Sequence, residues 1–330
     1  MEHQPWKVVI TDCDHGSIKE ETDEFSHLGV ELILAQVKEE GDLIRTCKEA
    51  DGIINQYSLL TRKVLESLPK CKVISRYGVG VDSIDLKAAT DLGIIVANVP
   101  DYCVDEVANQ TLSLILTLIR KTAFFDQKVK SGQWDFHLGI PIHRTQGKTL
   151  GLIGCGKIGI EVARRISSFG VRVIAFDPYI EKVHVGIELK DLDPLLKESD
   201  IISIHCPLND STRHLIGEKA FKKMKRKPIL INTSRGPIVD EKALIQALRE
   251  GLISGAGLDV LEKEPPDSKN PLLKMENVVL SPHISFYSEE SISELKRRTA
   301  KNVADVLSGK SPGSVVNREV EGKTRASISV

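Results

Sequence analysis

Several stretches of this chain carry residue types at the spacing that chemistry requires. In Thr149-Leu150-Gly151-Leu152-Ile153-Gly154-Cys155-Gly156-Lys157-Ile158-Gly159, a GxGxxG directly follows an apolar strand pattern and directly precedes a helical one, Ile160 to Phe169. Gly154 permits a tight turn, Gly156 lets the backbone approach a pyrophosphate, and Gly159 lets helix pack on strand, with the phosphates at the helix N-terminus. A bare GxGxxG can also be a plain βα turn, so the context carries the weight. The next strand pattern, Val171 to Phe176, ends in Asp177, at the separation where a carboxylate reaches adenosine ribose hydroxyls. Asp177 would repel a 2'-phosphate, and Pro178, Tyr179 and Ile180 offer no arginine to receive one. NAD is therefore favoured over NADP.

Three further motifs end strand patterns: Ile231-Asn232-Thr233-Ser234-Arg235-Gly236, Gly257-Leu258-Asp259-Val260 running to Glu264-Pro265, and Leu280-Ser281-Pro282-His283-Ile284-Ser285. In an open α/β sheet the carboxyl ends of strands face the ligand crevice, so these residues are expected to converge on the nicotinamide. Taken singly, each has a plainer role: His283 can cap a strand, Glu264 can be a surface charge before Pro265, and Arg235 can pair with Asp240.

The elements that must position these groups alternate along the chain. Short β-branched runs at Lys7 to Ile10, Gly52 to Asn55, Lys72 to Ser75, Ile94 to Ala97, Thr149 to Ile153, Arg172 to Phe176, Asp200 to His205 and Ile229 to Asn232 are separated by helical patterns. Continuous apolar strands between helices predict an α/β fold with two doubly wound parallel sheets. One domain is expected from residues 1–100 with 289–330, and a second, 101–288, inserted within it. The helix Asp105 to Arg120 has an apolar face too broad for one-sided burial, which predicts a place between domains or subunits. Ser288 caps a final helix with Ile292, Leu295, Val303, Val306 and Leu307 at helical spacing and Gly309 as its stop. Lys310 to Val330 is polar and aperiodic, so its last part is expected to be a mobile tail with no third, regulatory domain.

With 330 residues and 41% hydrophobic content, the chain can bury two cores. A net charge of -1, with both signs interspersed, gives no basic face for nucleic acid. No charged leader precedes a long apolar segment, and the run Leu112 to Ile119 falls short of a bilayer span, so a cytoplasmic protein with no membrane partner is expected. The six cysteines have neither CxxC nor metal-ligand spacing, which reads as reduced thiols, no disulfide and no metal.

Taken in order, the glycine turn, ribose Asp, Asn-Thr-Ser-Arg-Gly, Leu-Asp-Val with Glu-Pro, and Pro-His resemble the D-2-hydroxyacid dehydrogenase family. Tyr77-Gly78-Val79-Gly80-Val81-Asp82 is similar to the family's substrate loop, and His205-Cys206-Pro207-Leu208 to its adenine-side loop. The resemblance spans residues 50–316 and implies a Rossmann NAD domain inserted in a flavodoxin-like substrate domain. It also implies hinge closure over the substrate, D-configured products, and a homodimer formed through Val104 to Ile119 and Phe124 to Trp134. It adds Lys157, Ile158, His205, Pro207, Thr212, Thr233 and Ser285 to the cofactor contacts, with Asp259 accepting from the carboxamide and Thr111 touching the pyrophosphate. Tyr77, Val79, Gly80, Arg235 and Phe286 are the implied substrate contacts.

These roles are chemically coherent. Oxidising an alcohol requires a base for the hydroxyl proton while hydride leaves to nicotinamide. His283 is the candidate acid/base, and Glu264 would fix its tautomer and favour its charged form. Arg235 offers a fork of donors for the substrate carboxylate and can polarise the carbonyl. The N–H groups of Val79 and Gly80 can hold the other carboxylate oxygen. The other eight histidines match no such position.

Where many family members carry small residues after Pro-His, this chain continues Ile284-Ser285-Phe286-Tyr287-Ser288, and Phe286 would narrow or cover the substrate cleft. With Val99-Pro100 and Asp105-Glu106, that arrangement resembles the branch containing the C-terminal-binding-protein-like corepressors. Two functions stay open: a dehydrogenase or reductase of hydroxypyruvate, glyoxylate, phosphoglycerate or a similar acid, and an NAD(H)-sensing corepressor-like binding protein with weak or no turnover. Intact Arg235, Glu264 and His283 and the lack of long extensions favour the enzyme.

Overall fold

A computed structural model describes residues 5–183 and 186–328. The chain divides into two compact units, Met1–Tyr102 with Ser288–Val330, and Cys103–Tyr287. In the first unit, β1 (Trp6–Ile10), β2 (Val30–Leu34), β3 (Gly52–Asn55), β4 (Val73–Arg76) and β5 (Ile95–Ala97) form a parallel sheet in the order β2-β1-β3-β4-β5. β3 and β5 are buried along their whole length, as strands covered on both faces must be. The helix Glu289–Leu307 opens on a reciprocal cap: Ser291 N–H donates to the Ser288 hydroxyl (2.9 Å) and Ser288 N–H to the Ser291 hydroxyl (2.8 Å). It crosses the sheet at Gly52, where a Cβ would come within 2.7 Å of Val303, and Gly309 follows it at φ +77°.

The segment after Gly309, read from sequence as ending in a mobile tail, is docked through the described residues; Ser329 and Val330 lie outside them. Val315 bridges Ala97 antiparallel, and Val316 N–H donates to Val96 O at 2.8 Å. Buried Asn317 accepts from Val96 N–H (2.8 Å) and donates to Ile94 O (3.0 Å) and Thr90 Oγ1 (3.1 Å). The Arg325 guanidinium donates to Leu68 O at 2.6 Å. Backbone pairing, two polar side chains and the separated apolar residues Val316, Val320 and Ala326 hold this stretch, and apolar residues so spaced make neither a run nor a clear amphipathic pattern. Asn317→Ala leaves Val96 N–H and Ile94 O without these partners, and urea unfolding is expected to show a loss of about 2–4 kcal/mol at an unchanged m-value.

In the second unit, β6 (Thr149–Ile153), β7 (Arg172–Phe176), β8 (Ile187–Leu189), β9 (Ile201–Ile204), β10 (Ile229–Asn232), β11 (Gly255–Leu258) and β12 (Val278–Leu280) form a parallel sheet in the order β12-β11-β10-β9-β6-β7-β8. The order reverses between β6 and β9, which makes their carboxyl ends the switch point where such sheets bind ligands. The broad apolar face of the helix Val104–Arg120 is spent on this unit's own sheet. Its Ala108, Leu112, Leu114 and Ile115 pack with Leu150, Leu152 and Ile231, and a Cβ at Gly257 would sit 3.0 Å from that of Leu114. β2 and β8, absent from the sequence reading, are short, half-exposed edge strands; β8 has no apolar run, and that of β2 is only Leu32-Ile33-Leu34.

Candidate active site

Each strand end of the second unit contributes one layer of the site, beginning at the switch point. Gly154 has φ +94°, and a Cβ there would lie 2.6 Å from Cys206 N and 2.8 Å from His205 O, so the loops after β6 and β9 touch through it. A Cβ on Gly159 would stand 2.6 Å from Gly154 O. Gly156 meets nothing within 4 Å and N-caps the helix Lys157–Ile166 with no side-chain cap bond. Two of the glycines are thus demanded by packing, and the third holds a space open beside a helix N-terminus begun by Lys157 and Ile158.

Asp177, at the end of β7, takes Cys155 N–H on Oδ2 (2.9 Å) and Tyr179 N–H on Oδ1 (3.0 Å), which ties the glycine turn to the neighbouring strand. A carboxylate has about four acceptor sites, so Asp177 keeps capacity for further donors. After β9, His205 N–H donates to Ile153 O (2.7 Å), its Nε2 bonds Ser203 Oγ (2.8 Å), and burial pushes its pKa down to about 4. Thr212 Oγ1 donates to Pro207 O at 2.7 Å and closes the loop that follows. The Thr111 hydroxyl, on the helix Val104–Arg120, lies 3.0 Å from that of Thr233 at the end of β10. Ser285 Oγ is buried without a hydrogen-bond partner, a donor that a carboxamide would satisfy. The open glycine cradle, the ribose-side carboxylate and the orphaned hydroxyl fit a nicotinamide dinucleotide.

The catalytic candidates come from the ends of β10, β11 and β12. Asn232 Nδ2 donates to Arg235 O (2.9 Å), Asn232 Oδ1 accepts from Ser234 N–H (3.0 Å), and Ser234 Oγ donates to Cys206 O (2.5 Å). At Gly236 a Cβ would fall 1.9 Å from Leu261 O, so only glycine lets the Arg235 turn abut the loop that carries Glu264. Arg235 Nη1 donates to Ser234 O at 2.8 Å. His283 Nδ1 is 2.7 Å from Glu264 Oε2, while Glu264 Oε1 accepts from Leu261 N–H at 2.9 Å. Burial alone would raise the Glu264 pKa, but the bond and charge of His283 prevail and hold it below its ordinary value. Phe286 stands edge-on to His283, ring centroids 6.3 Å apart.

Asp259 is buried, and its carboxylate accepts from Ser281 Oγ (2.6 Å), Ile284 N–H (3.0 Å) and Ser285 N–H (2.9 Å). Ser281 and its partner Gln110 (3.2 Å) escaped the sequence reading. Ser281 stood inside a quoted motif, whereas Gln110 left no local signal. Of the residues read as substrate contacts in the first unit, Val79 is exposed at its loop, with its carbonyl accepting from Asn98 Nδ2 at 2.6 Å, and Gly80 follows it. Tyr77 is 2% exposed and donates its hydroxyl to Glu21 Oε1 at 2.6 Å, which makes its side chain a core group.

The sequence profile described as D-isomer specific 2-hydroxyacid dehydrogenase, NAD binding domain, matches residues 112–285. The chain belongs to this family. It is 43% identical over 292 residues to a glyoxylate reductase of Thermofilum pendens, covering 84% of this chain and 85% of that one. It is 41% identical over 318 residues to a D-3-phosphoglycerate dehydrogenase of Methanocaldococcus jannaschii, covering 94% of this chain and 59% of the longer relative. Its fold superposes on the crystal structure of D-lactate dehydrogenase from Aquifex aeolicus complexed with NAD and lactic acid with a TM-score of 0.83, 31% identity and coverage of 94% and 99%. The chain is an NAD-dependent D-2-hydroxyacid dehydrogenase. In this family member Gly156→Ala is expected to leave the melting temperature unchanged while weakening NADH binding about 10-fold or more, because its Cβ enters open space. Gly159→Ala is expected to lower the melting temperature, because its Cβ meets the Gly154 carbonyl. Fluorescence titration with NADH beside thermal melts of both variants checks the split.

Proposed function

We propose that Arg235, Glu264 and His283 reduce glyoxylate, hydroxypyruvate or a similarly small 2-oxo acid, or oxidise the matching hydroxy acid. The observation that carries this reading is the 2.7 Å bond between His283 Nδ1 and Glu264 Oε2. With Nδ1–H given to the carboxylate, Nε2 is the nitrogen that donates a proton to the substrate oxygen or takes one from its hydroxyl. Glu264, kept ionised by that partnership, stabilises the imidazolium. Arg235 grips the substrate carboxylate and polarises the carbonyl, and the Val79 and Gly80 N–H groups are further carboxylate ligands. Bound NAD(H) supplies or accepts the hydride. The glycine turn, Lys157, Ile158, Asp177, His205, Pro207, Thr212, Thr233, Asp259, Ser285 and Thr111 hold that cofactor. Phe286 beside His283 favours small acids, in keeping with the glyoxylate reductases among the relatives.

NADH oxidation by the purified protein is to be followed with glyoxylate, hydroxypyruvate, phosphohydroxypyruvate, pyruvate and longer 2-oxo acids, beside NADPH and His283→Ala. Turnover on a small acid that falls about 10²–10⁴-fold in the variant, with NADH binding retained, is expected. Tight NADH binding without turnover on any acid would overturn the proposal and favour an NAD(H)-sensing binding protein.

The same reading includes a cytoplasmic homodimer with no nucleic-acid or membrane partner. Six free cysteines suit a reducing compartment, and no helix among the described residues is long and apolar enough to cross a membrane. In the second unit Trp134 is 89% and Phe136 68% exposed, beside exposed Leu138 and Ile140. A groove of about 880 Å³ of mixed character, lined by Leu118, Phe124 and Leu138 together with Lys148, Asp200 and Arg226, lies at the end of the sheet opposite the chemistry. The exposed apolar side chains from Trp134 to Ile140 support the reading of this face as an interface. Phe136→Asp is expected to shift light-scattering mass from dimer to monomer; an unaltered mass, or a monomeric wild type, refutes the interface.

A further inference from the structure

The first unit buries an ionic cluster that no step above uses. Glu21, on the helix Lys19–Phe25, is 0% exposed, and Lys296, on the helix Glu289–Leu307, is 3% exposed. Lys296 Nζ donates to Ser17 O and to Glu20 and lies 3.7 Å from Glu21 Oε2. That Oε2 has no hydrogen-bond partner, while Oε1 accepts the Tyr77 hydroxyl at 2.6 Å. The His15 ring meets the Tyr77 ring edge-on, centroids 5.5 Å apart. Burial pushes both the Glu21 carboxyl and the Tyr77 hydroxyl above their ordinary pKa values.

Packing two helices does not require this. Taking ions out of water is costly, and apolar side chains of similar volume often hold helices as well or better. What a buried polar network adds is a fixed geometry. Here the network ends on Tyr77, the residue immediately before Gly78-Val79-Gly80. The start of that loop is unusual backbone: Gly78 has φ +132°, Tyr77 N–H donates to Asn55 O (2.8 Å), Gly78 N–H to Arg76 O (2.9 Å), and Gly78 O accepts from Val99 N–H (3.0 Å). Side-chain anchoring of Tyr77 fixes where this turn begins.

We propose that Lys296, Glu21 and Tyr77 are positioning residues that clamp the Gly78–Gly80 loop from within its own unit and so set the Val79 and Gly80 N–H groups for a substrate carboxylate. The role in catalysis rests on the reading of Val79 and Gly80 given under the proposed function; the clamp does not. Tyr77→Phe removes only the hydroxyl and keeps the ring, and Glu21→Leu removes its acceptor; both are made in the full chain, singly and together. In Tyr77→Phe, amide hydrogen exchange at Gly78 and Val99, whose N–H groups bond across this turn, is expected to accelerate about 10-fold, with β1 and β3 amides unchanged. The KM for glyoxylate is expected to rise by more than kcat falls, with the NADH dissociation constant unmoved. The double variant should be no worse than the worse single one, because both break the same bond. Unchanged exchange at Gly78 and Val99 in Tyr77→Phe overturns the clamp. Faster exchange with an unchanged KM leaves the clamp standing and refutes the loop as a carboxylate ligand, and a wild type inactive on every acid refutes the proposed function while exchange still decides the clamp.

Discussion

Asp259 accepts three hydrogen bonds on a buried carboxylate, from Ser281 Oγ, Ile284 N–H and Ser285 N–H, and its backbone carbonyl accepts a fourth, from His283 N–H at 2.8 Å. All four come from the loop after β12, so one strand-end residue dictates the path of its neighbour's loop. That path holds His283 at φ +52°, a left-handed conformation that costs a non-glycine residue roughly 1–2 kcal/mol. Such strain persists only where surrounding bonds over-determine it, and a charged acceptor with three donors does so. The bonded loop and the bond to Glu264 then fix the imidazole from both sides.

The same end of the sheet shows why glycines had to fall where they do. Arg235, Glu264 and the pyrophosphate turn come from three strand ends, and parallel strands set such ends about 4.8 Å apart per neighbour. Loops leaving adjacent or nearby strands can share one crevice only if their backbones touch. They touch at Gly236 against Leu261 and at Gly154 against His205 and Cys206, where any side chain would collide with backbone. A collision with backbone has no rotamer to relieve it, so the close packing of the parallel sheet and the composition of its loops are one constraint.

What could be read from sequence follows from how local each signal is. β6, the glycine turn and Asp177 lie within 29 residues of one another, from Thr149 to Asp177, and each obeys a rule of its own neighbourhood. The inner strands β3, β6 and β10 are apolar runs because both faces are covered, and their ends were placed without error. β2 and β8 sit at sheet edges, where one side is solvent and their apolar residues stay half-exposed, so short stretches such as Leu32-Ile33-Leu34 do not stand out. Asn317 and Arg325 bind backbone more than 220 residues away in the chain, Lys296 meets Glu20 across 276, and Gln110 reaches Ser281 across 171. Partnerships over such separations leave no periodicity behind. Tyr77 shows the same: its motif marks the loop it begins, but only its distant partner Glu21 reveals that the ring packs in the core.

Two histidines at the same edge of one sheet show how surroundings separate roles that residue type leaves equal. His205 is half-buried beside a serine hydroxyl with no carboxylate to share its proton, and desolvation drives its pKa down to about 4. At neutral pH it is an uncharged hydrogen-bonding group, which suits a wall and disqualifies a proton donor. His283 has a carboxylate on Nδ1, and the carboxylate has a backbone N–H on its other oxygen, so the proton on the far nitrogen is the one that can move. The Glu264 carboxyl falls below its ordinary value although burial works the other way, because the hydrogen bond to His283, its coulombic attraction and the Leu261 N–H together outweigh desolvation. Had the carboxylate stood beside His205 instead, the acid would sit behind the adenine-side loop, and the strand end with Arg235 would lack a proton source.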